Sequence, residues 1–340
     1  MQINPDFSDL RPKAKSEPIK EMLSVTCTPS GTKVRINSSS LSTILTCMRK
    51  ANLQLNEKWQ SRMASPALAY GSAIHKALEV FYAHPKKERE FPKNFKEHSE
   101  LMISGVMPEE EHFLYDAIAT FLETGKTLAA LPDTDKRSLA SGIWLLQNYF
   151  KVYLKDPFVI HRDGFGPLVE RTFALPLYQS NQLSIELFGT IDFILCHEVT
   201  GQIIPGDHKT SSVLGVDFFN RLRPNHQYTA YLMGAREILN IDSDCFMVNG
   251  IQVKAKPLTQ RGGPPLFTRQ ITERNEQDFE EFRQTVIWAV KRYLEALDSG
   301  VWPIGHVDAC ASYGGCSYLD VCSQSHAIRK NILEAKFIKQ

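Results

Sequence analysis

The 340-residue sequence lacks any apolar run of about eighteen residues, the length that crosses a membrane, so we expect no membrane partner. Its first residues, MQINPDFSDLRPKAKSEPIK, contain no apolar signal core. The formal net charge is only +1, which excludes a uniformly basic surface but leaves room for a local basic groove. No G-x-x-x-x-G-K-[ST] motif occurs, which argues against a helicase subunit. These absences predict a cytoplasmic protein without a nucleotide-driven motor.

The chain has no shortage of material for a core, since 43% of its residues are hydrophobic and 23% are charged. Seven cysteines are present, and a reducing cytoplasm would keep them free of disulfides. Three of them, Cys310, Cys316 and Cys322, follow one another with five residues in each gap. This clustering indicates a metal site. An iron–sulfur cluster, a zinc ion and three unliganded thiols remain open as interpretations.

The apolar periodicity changes along the chain from helical to strand-like and back. Helical patterns precede a meander of short strands, VERTFALPL, LSIELFG, GTIDFILC and QIIPGDHKT, after which a helix, a strand and a long helix follow. This order predicts an α/β fold with a mixed central sheet flanked by helices and a helical insertion. We expect a flexible N-terminal arm over 1–37, a core over 38–84 and 166–325, a helical insertion over 85–165 and a C-terminal tail over 326–340.

The most informative pattern is a pair of aspartates on either side of a predicted hairpin turn. In an antiparallel hairpin the numbers of paired residues have a constant sum. A turn centred between Val199 and Thr200 therefore pairs Asp192 with Asp207 on one face. Lys209 lies two residues further along the strand, and the pleat returns it to the same face. The sequence thus brings two carboxylates and an ammonium group together.

Two buried carboxylates at that range repel each other, and a divalent cation would relieve the repulsion. Mg²⁺ and Mn²⁺ prefer oxygen ligands and retain water molecules that can react. Lys209 would then stabilise negative charge on a phosphate or polarise a water molecule. A surface hairpin with outward-facing polar residues is the alternative, but the agreement of three residues favours a metal site.

Other candidates are weaker when taken singly. Gly71 lies one helical turn before His75, which leaves space beside the histidine for a ligand. Gln227 and Tyr231 lie four residues apart on a predicted helix and share a face, although a buried polar pair explains them equally well. Glu170 stands near the start of the strand meander, where it would orient a neighbour or face solvent.

Taken in order, the G-x-x-x-H motif, the D-(x14)-D-x-K motif and the Q-x-x-x-Y motif resemble the PD-(D/E)xK nucleases, in their RecB-like exonuclease branch. The likeness extends over about residues 38–325 and includes the serine-rich segment SSLSTILTCMR. It implies a restriction-endonuclease-like core and metal-assisted hydrolysis of phosphodiester bonds, leaving a 3′-hydroxyl and a 5′-phosphate.

The resemblance assigns roles residue by residue. His75, Asp192, Asp207 and the backbone carbonyl of His208 would bind Mg²⁺ or Mn²⁺. Lys209 would be the catalytic lysine. Gln227 and Tyr231 would support the substrate and the lysine, and Glu170 matches an acidic position that many members carry before the core strand.

The RecB-like branch also includes members in which a fourth cysteine precedes the nuclease core, and Cys47 matches that position. The resemblance therefore implies a 4Fe-4S cluster on Cys47, Cys310, Cys316 and Cys322, with zinc as the rival occupant. The family tail usually has two residues in its first gap and five in its second, whereas both gaps here are five.

The implied function is a metal-dependent DNA exonuclease of recombination or repair, with a phage enzyme working beside a single-strand annealing protein as one version. DNA is the expected partner, with Arg221 and Arg223 as candidate phosphate contacts, and homo-oligomer formation is left open. A catalytically silent iron–sulfur DNA-binding or scaffold protein and a CRISPR adaptation nuclease are the alternatives.

Overall fold

The computed structural model describes residues 22–29, 31–62, 65–85, 90–257, 263–311 and 315–339. The strands are β1 Leu23–Thr28, β2 Gly31–Ile36, β3 Trp59–Ser61, β4 Phe158–Ile160, β5 Arg162–Asp163, β6 Gly166–Pro167, β7 Val169–Gln179, β8 Leu183–His197, β9 Ile203–Ser211, β10 Cys245–Gln252, β11 Phe267–Glu273 and β12 Phe337–Lys339. The α-helices are α1 Ser38–Thr46, α2 Met48–Ala51, α3 Pro66–Ala83, α4 Phe95–Leu101, α5 Phe113–Thr124, α6 Leu139–Tyr153, α7 Val216–Asn220, α8 His226–Glu237, α9 Glu276–Ser299, α10 Val307–Ala311, α11 Leu319–Cys322 and α12 His326–Lys336. A π-helical turn covers Asn52–Asn56, and 3-10 turns cover Met102–Ser104 and Lys126–Ala130. Across these ranges no helix combines the length and the apolar character needed to span a membrane.

Local capping explains where three of the helices begin. Asn37 accepts a hydrogen bond from the Ser40 amide at the start of α1, and Asn225 does the same for Gln227 at the start of α8. At α9, Asn275 and Asp278 form a reciprocal capping box. These side chains satisfy backbone amides that the first turn of a helix leaves unpaired.

The central sheet is mixed, with strand order β1-β2-β8-β9-β10-β11, and β4 and β7 also pair with β8. The β2–β8 and β9–β10 pairs are parallel, and the other pairs in the sheet are antiparallel. Helices cover both faces. The predicted fold, an α/β protein with a mixed central sheet flanked by helices, is confirmed.

The long strand β8 changes neighbours along one edge. Residues 183–187 of β8 pair with β2, and residues 193–196 pair with β9. Since Phe193 pairs with both β7 and β9, those two strands lie on opposite edges of β8, and β9 therefore follows β2 along the same edge. We use the term fork for the opening beside residues 188–192, where this edge of β8 passes from pairing with β2 to pairing with β9. Asp192 lies at its end.

Two apolar layers hold the sheet between them. One contains α1, α8 and α9, packed on side chains such as Phe173 and Ile185. The other contains α3, α5 and α6, packed on Phe193, Leu195 and Met247. On β10, Phe246 and Val248 pack in the first layer and Met247 packs in the second, because successive strand residues point to opposite faces.

The strand meander is more continuous than the sequence predicts. LSIELFG and GTIDFILC, which the sequence predicts as two short strands that meet at Gly189, form the single strand β8. A Cβ atom at Gly189 would lie 2.8 Å from the Tyr231 ring and 2.9 Å from the Phe173 ring. The glycine therefore permits close packing of α8 on the sheet and does not reverse the chain.

Three predicted boundaries need correction or comment. Residues 23–28 and 31–36 form β1 and β2 of the central sheet, so the expected flexible arm is wrong there, while residues 1–21 and 30 lie outside the described residues. The segment 85–165 is helical up to α6, but its end contributes β4, which pairs with β8. The segment 326–340 holds α12 and β12, and β12 pairs with β3.

Candidate active site

The β8–β9 hairpin has the predicted register. Phe193 pairs with Gly206 and Cys196 pairs with Ile203, which are the partners expected if Asp192 stands opposite Asp207. The ladder ends at Phe193 and Gly206, so the two aspartates lie just beyond its last pair. Pro205 and Gly206 are the last two residues of β9 in this ladder. Gly206 is required for this approach, because a Cβ there would lie 2.3 Å from the Phe193 ring.

Asp192 is buried and is held by two donors at one oxygen. Nδ1 of His75 lies 3.1 Å from Oδ2, and the backbone amide of His208 donates to the same atom at 2.8 Å. Burial alone would raise the pKa of Asp192, but the charge and hydrogen bond of His75 outweigh it and hold the pKa below its ordinary value. Burial alone would lower the pKa of His75, but the charge and hydrogen bond of Asp192, together with the Asp207 charge, outweigh it and raise the pKa. The pair therefore favours an ionised carboxylate.

Asp207 is also buried, but its pKa moves in the opposite direction. Burial is the main cause of the raised pKa; Lys209 opposes this, and the Asp192 charge adds to it. Nζ of Lys209 lies 2.5 Å from Oδ2 of Asp207. Both aspartates raise the pKa of Lys209 against the effect of burial, so the lysine stays charged. Asp207 and Lys209 are therefore in direct contact, and both lie within electrostatic reach of Asp192.

Glu170 lies on β7, next to Asp192 on β8. Strand β7 pairs with the edge of β8 that faces away from β9. The neighbours of Glu170, Val169 and Arg171, pair with Phe193 and Ile191, which places Glu170 level with Asp192. Its φ of 51° is left-handed, a strained conformation for a residue with a Cβ that is often found at functional sites. Burial and then the Asp192 charge raise the pKa of Glu170 to about 7, and Oε2 lies 3.9 Å from Nζ of Lys76.

Helix α3 approaches the site through the G-x-x-x-H motif. A Cβ at Gly71 would lie 3.3 Å from Oγ1 of Thr210 on β9, so the glycine allows close contact between this helix and the strand. One turn later, His75 reaches Asp192. The space that the sequence predicts beside the histidine is therefore taken up by the strand that carries Lys209.

Helix α8 contributes the predicted amide and phenol. Nε2 of Gln227 donates to the Tyr231 hydroxyl at 2.9 Å, as the four-residue spacing predicts. The pKa of Tyr231 is raised, first by burial and next by the charge of Asp207. The phenol therefore lies within electrostatic reach of the carboxylates.

The donor set of this site suits a divalent cation. It offers carboxylates from three strands, an imidazole and the backbone at His208, and oxygen predominates, as Mg²⁺ and Mn²⁺ prefer. A cation would also offset the cost of burying Asp207 beside Asp192. In the structure the Lys209 ammonium neutralises Asp207, so it would have to withdraw from that oxygen.

The four predicted cluster cysteines, Cys47, Cys310, Cys316 and Cys322, line one cavity next to the Gly305 loop. The Gly305 amide donates to Sγ of Cys47 at 3.3 Å. Burial is the main cause of a raised pKa at Cys322, and Cys316 and Cys47 add to it. The thiols therefore share one place in the fold, although Cys47 is far from the others in sequence.

Within the described ranges, no three or more His, Cys, Asp or Glu side chains are arranged closely enough to hold a metal ion as they stand. This applies both to the cysteine cavity and to the carboxylates at the fork. Metal binding at either place would require side-chain rotation, and at the fork it would also require movement of Lys209.

The two arginines proposed to contact DNA differ in their surroundings. Arg221 is the residue that follows α7 and is exposed. Nη2 of Arg223 lies 2.9 Å and 3.1 Å from the two carboxylate oxygens of Asp278, in the capping box of α9. Arg223 is therefore held by an ion pair to a helix start.

Sequence reasoning missed several polar residues behind the site. Asn249 on β10 is fully buried and contacts His208, and Lys76 lies beside Glu170. A signal for Asn249 was available, since an amide interrupts the apolar run of β10, FMVNGI. Buried polar residues of this kind require partners.

Comparison with known proteins identifies the family of this chain. The chain is similar to a crystal structure described as "Putative exonuclease" from Eubacterium rectale, with 12% identity, a TM-score of 0.41, and coverage of 85% of this chain and 93% of the other. No curated protein matches the sequence. Residues 35–323 match the PD-(D/E)XK nuclease superfamily. Since this match covers most of the sequence, the chain belongs to the PD-(D/E)XK nuclease superfamily.

Proposed function

We propose that the protein is a Mg²⁺- or Mn²⁺-dependent DNA exonuclease of the RecB-like branch that acts in recombination or repair. The observation that supports this most is the meeting of Asp192, Asp207 and Lys209 at the fork, with His75 bound to Asp192. A complete set of acidic and basic groups argues against a catalytically silent scaffold. DNA is the proposed substrate and partner.

In this proposal Asp192, Asp207, His75 and the His208 carbonyl hold the cation. A bound divalent cation supplies charge for the scissile phosphate and lowers the pKa of a water molecule. His75 and the His208 amide orient Asp192. Lys209 remains protonated beside Asp207 and stabilises the negative charge that grows on the phosphate.

The remaining candidates have supporting roles. Gln227 fixes the Tyr231 hydroxyl, and this pair borders the substrate on the α8 side. Glu170, whose carboxyl is partly buried level with Asp192, would orient a neighbouring group of the site. Arg221 and Arg223 are proposed phosphate contacts, and Arg223 would have to exchange Asp278 for DNA.

The test is a cleavage assay on linear and circular duplexes with Mg²⁺, Mn²⁺ or EDTA. We expect degradation of linear DNA alone, and loss of cleavage in EDTA and in Asp207→Ala and Lys209→Ala. The exposed residues Asp242 and Lys151 provide matched controls as Asp242→Ala and Lys151→Ala. Retained cleavage in both site variants would refute the assignment, and cutting of circles would indicate an endonuclease.

We also propose that Cys47, Cys310, Cys316 and Cys322 hold a 4Fe-4S cluster, with zinc as the alternative. The shared cavity supports this, because it brings Cys47 next to three thiols that lie more than 260 positions further along the sequence. Anaerobic purification followed by metal analysis separates the two. Iron with visible absorbance supports the cluster, zinc supports the alternative, and neither metal refutes both.

A further inference from the structure

A buried polar network connects the helical layer to strand β9 directly behind the carboxylates. Its members lie on α3, α6, the segment after α6, and strands β9, β10 and β11. They are His208, Asn249, Tyr149, Tyr82, Arg269 and Asp156. All six are buried or nearly so. Because buried polar groups are costly unless each is paired, a connected set of this size is a built feature of the core.

Asn249 is the centre of the network. It pairs with His208 across the parallel β9–β10 ladder, so the two side chains stand side by side. Nδ2 of Asn249 lies 2.8 Å from Nδ1 of His208 and 2.5 Å from the Tyr149 hydroxyl. Both amide hydrogens are thereby used. On this hydrogen-bond assignment Nδ1 of His208 is an acceptor and the ring proton sits on Nε2.

The far end of the network is anchored by a buried charge. The hydroxyls of Tyr149 and Tyr82 are 2.7 Å apart, and Arg269 donates to Tyr82 at 3.0 Å. Arg269 also lies 2.5 Å from Asp156, and its guanidinium stands 4.3 Å from the centre of the Tyr153 ring. The tyrosines are therefore fixed from both sides, by the arginine and by Asn249.

The near end of the network fixes one peptide unit of the candidate site. The amide of His208 donates to Asp192. In a β-strand the N–H and C=O groups of one residue point to the same edge, so the His208 carbonyl also faces the fork. When the network fixes the imidazole of His208, it also fixes the His208 backbone. That backbone orients Asp192 through its amide and presents its carbonyl to the fork.

We propose that Asn249, supported by Tyr149, is a positioning residue for the metal site at the fork. The proposal rests on the proposed nuclease function and adds a second layer behind the residues that would bind the ion. Residues that support metal ligands from behind are worth about 10–100-fold in metal affinity or activity. The helical layer is thereby given a part in building the site.

The test measures Mn²⁺ binding by calorimetry in the absence of DNA, together with the kcat of cleavage at saturating Mn²⁺. We expect Asn249→Leu to weaken Mn²⁺ binding at least about tenfold, and Tyr149→Phe to weaken it by a smaller factor, with the melting temperature recorded for each. Tyr70→Phe is the matched control, because Tyr70 lies in the same helical layer and its buried hydroxyl has no hydrogen-bond partner in the described part of the chain. Its Mn²⁺ affinity should equal that of the wild type.

A folded Asn249→Leu variant with wild-type Mn²⁺ affinity would overturn the proposal. If Asn249→Leu does not fold, Tyr149→Phe decides in the same way. The proposed function fails separately, if the unmodified protein neither binds Mn²⁺ nor cleaves DNA. If the unmodified protein binds Mn²⁺ and cleaves DNA, and Asn249→Leu binds Mn²⁺ with the same affinity, only the positioning role is refuted.

Discussion

The fork and the cysteine cavity are both candidate metal sites, but they are assembled in different ways. At the fork, Asp192, Asp207 and Lys209 come from one hairpin, so local register places them together. At the cavity, Cys47 meets Cys316 and Cys322 only because distant parts of the chain pack together. A site built by one hairpin keeps its geometry as long as that hairpin forms. A site built from segments that are distant in the sequence depends on the whole fold. If such a site binds a metal, the metal also stabilises the fold.

The strongest test of this comparison is whether substitutions at the fork abolish cleavage while the stability of the fold is kept. If the proposed function holds, Asp207→Ala and Lys209→Ala should each lower kcat/KM for linear DNA by roughly a hundredfold to a thousandfold or more, because the first removes a ligand of the cation and the second removes positive charge beside the reacting phosphate. The melting temperature should change far less than the rate. Steady-state kinetics and thermal unfolding, with Asp242→Ala as control, check this. A large loss of stability with modest loss of rate would contradict it.

At the cysteine cavity we expect the opposite result, in which substitutions lower the stability of the fold more than they lower the cleavage rate. If a metal joins the four cysteines, it cross-links distant positions, and its loss should cost on the order of 3 kcal/mol of unfolding free energy. Cys316→Ser should therefore lose bound metal and unfold at lower denaturant, while Cys27→Ser, at an exposed cysteine outside the cavity, should match the wild type. Metal content and urea denaturation are the measurements. Equal stability of the two variants would show that no metal cross-link at the cavity stabilises the fold.

The hairpin itself can be tested through its glycines. Gly206→Ala would place a Cβ 2.3 Å from the Phe193 ring and 2.6 Å from the Met247 carbonyl oxygen, so we expect a loss of about 1–3 kcal/mol of stability. Gly164→Ala, where a Cβ would meet no atom within 4 Å, is the control. Since Gly206 lies beside Asp207, activity should fall as well. Denaturant midpoints and cleavage rates check both effects.

The smallest expected effect concerns the capping box of α9, away from both sites. The pKa of Asp278 is lowered, chiefly by the Asn275 backbone amide and further by Arg223. A lowered pKa contributes stability above the carboxyl's unfolded pKa, and that stability is lost as the pH falls through the lower folded pKa. Asp278→Asn should cost about 0.5–1 kcal/mol at neutral pH and nothing once the carboxyl is protonated. Denaturation curves across the acid range test this, and equal losses at all pH values would refute it.

Features set by short-range pattern were the ones that the sequence predicted. The register of the β8–β9 hairpin, which sets Asp192 and Asp207 just beyond its last pair, follows from turn position, and the Gln227–Tyr231 contact follows from helical spacing. Both depend on fewer than twenty consecutive residues. Their geometry is fixed by the repeat of the strand or helix, which a sequence displays directly.

What the sequence did not predict depends on packing across the fold. The sequence predicts two short strands that meet at Gly189, yet one strand runs through this glycine, and the Tyr231 and Phe173 rings occupy the space that a Cβ would need. Residues 23–28 and 31–36 fall in the predicted flexible arm, yet they join the sheet through β8, over 140 positions away. Asn249 stands out in its strand, but its partners are on other elements. Such choices are decided by neighbours that no local window contains.

The fork in β8 has a consequence for backbone exchange. Along the antiparallel β7 edge, alternate amides of residues 188–192 point toward β7, and the others point into the fork. Deuterium uptake should therefore alternate between slow and fast within this one strand, whereas residues 193–196, next to β9, should all be slow. Addition of Mn²⁺ should slow uptake at the fork and leave the β1–β2 hairpin unchanged.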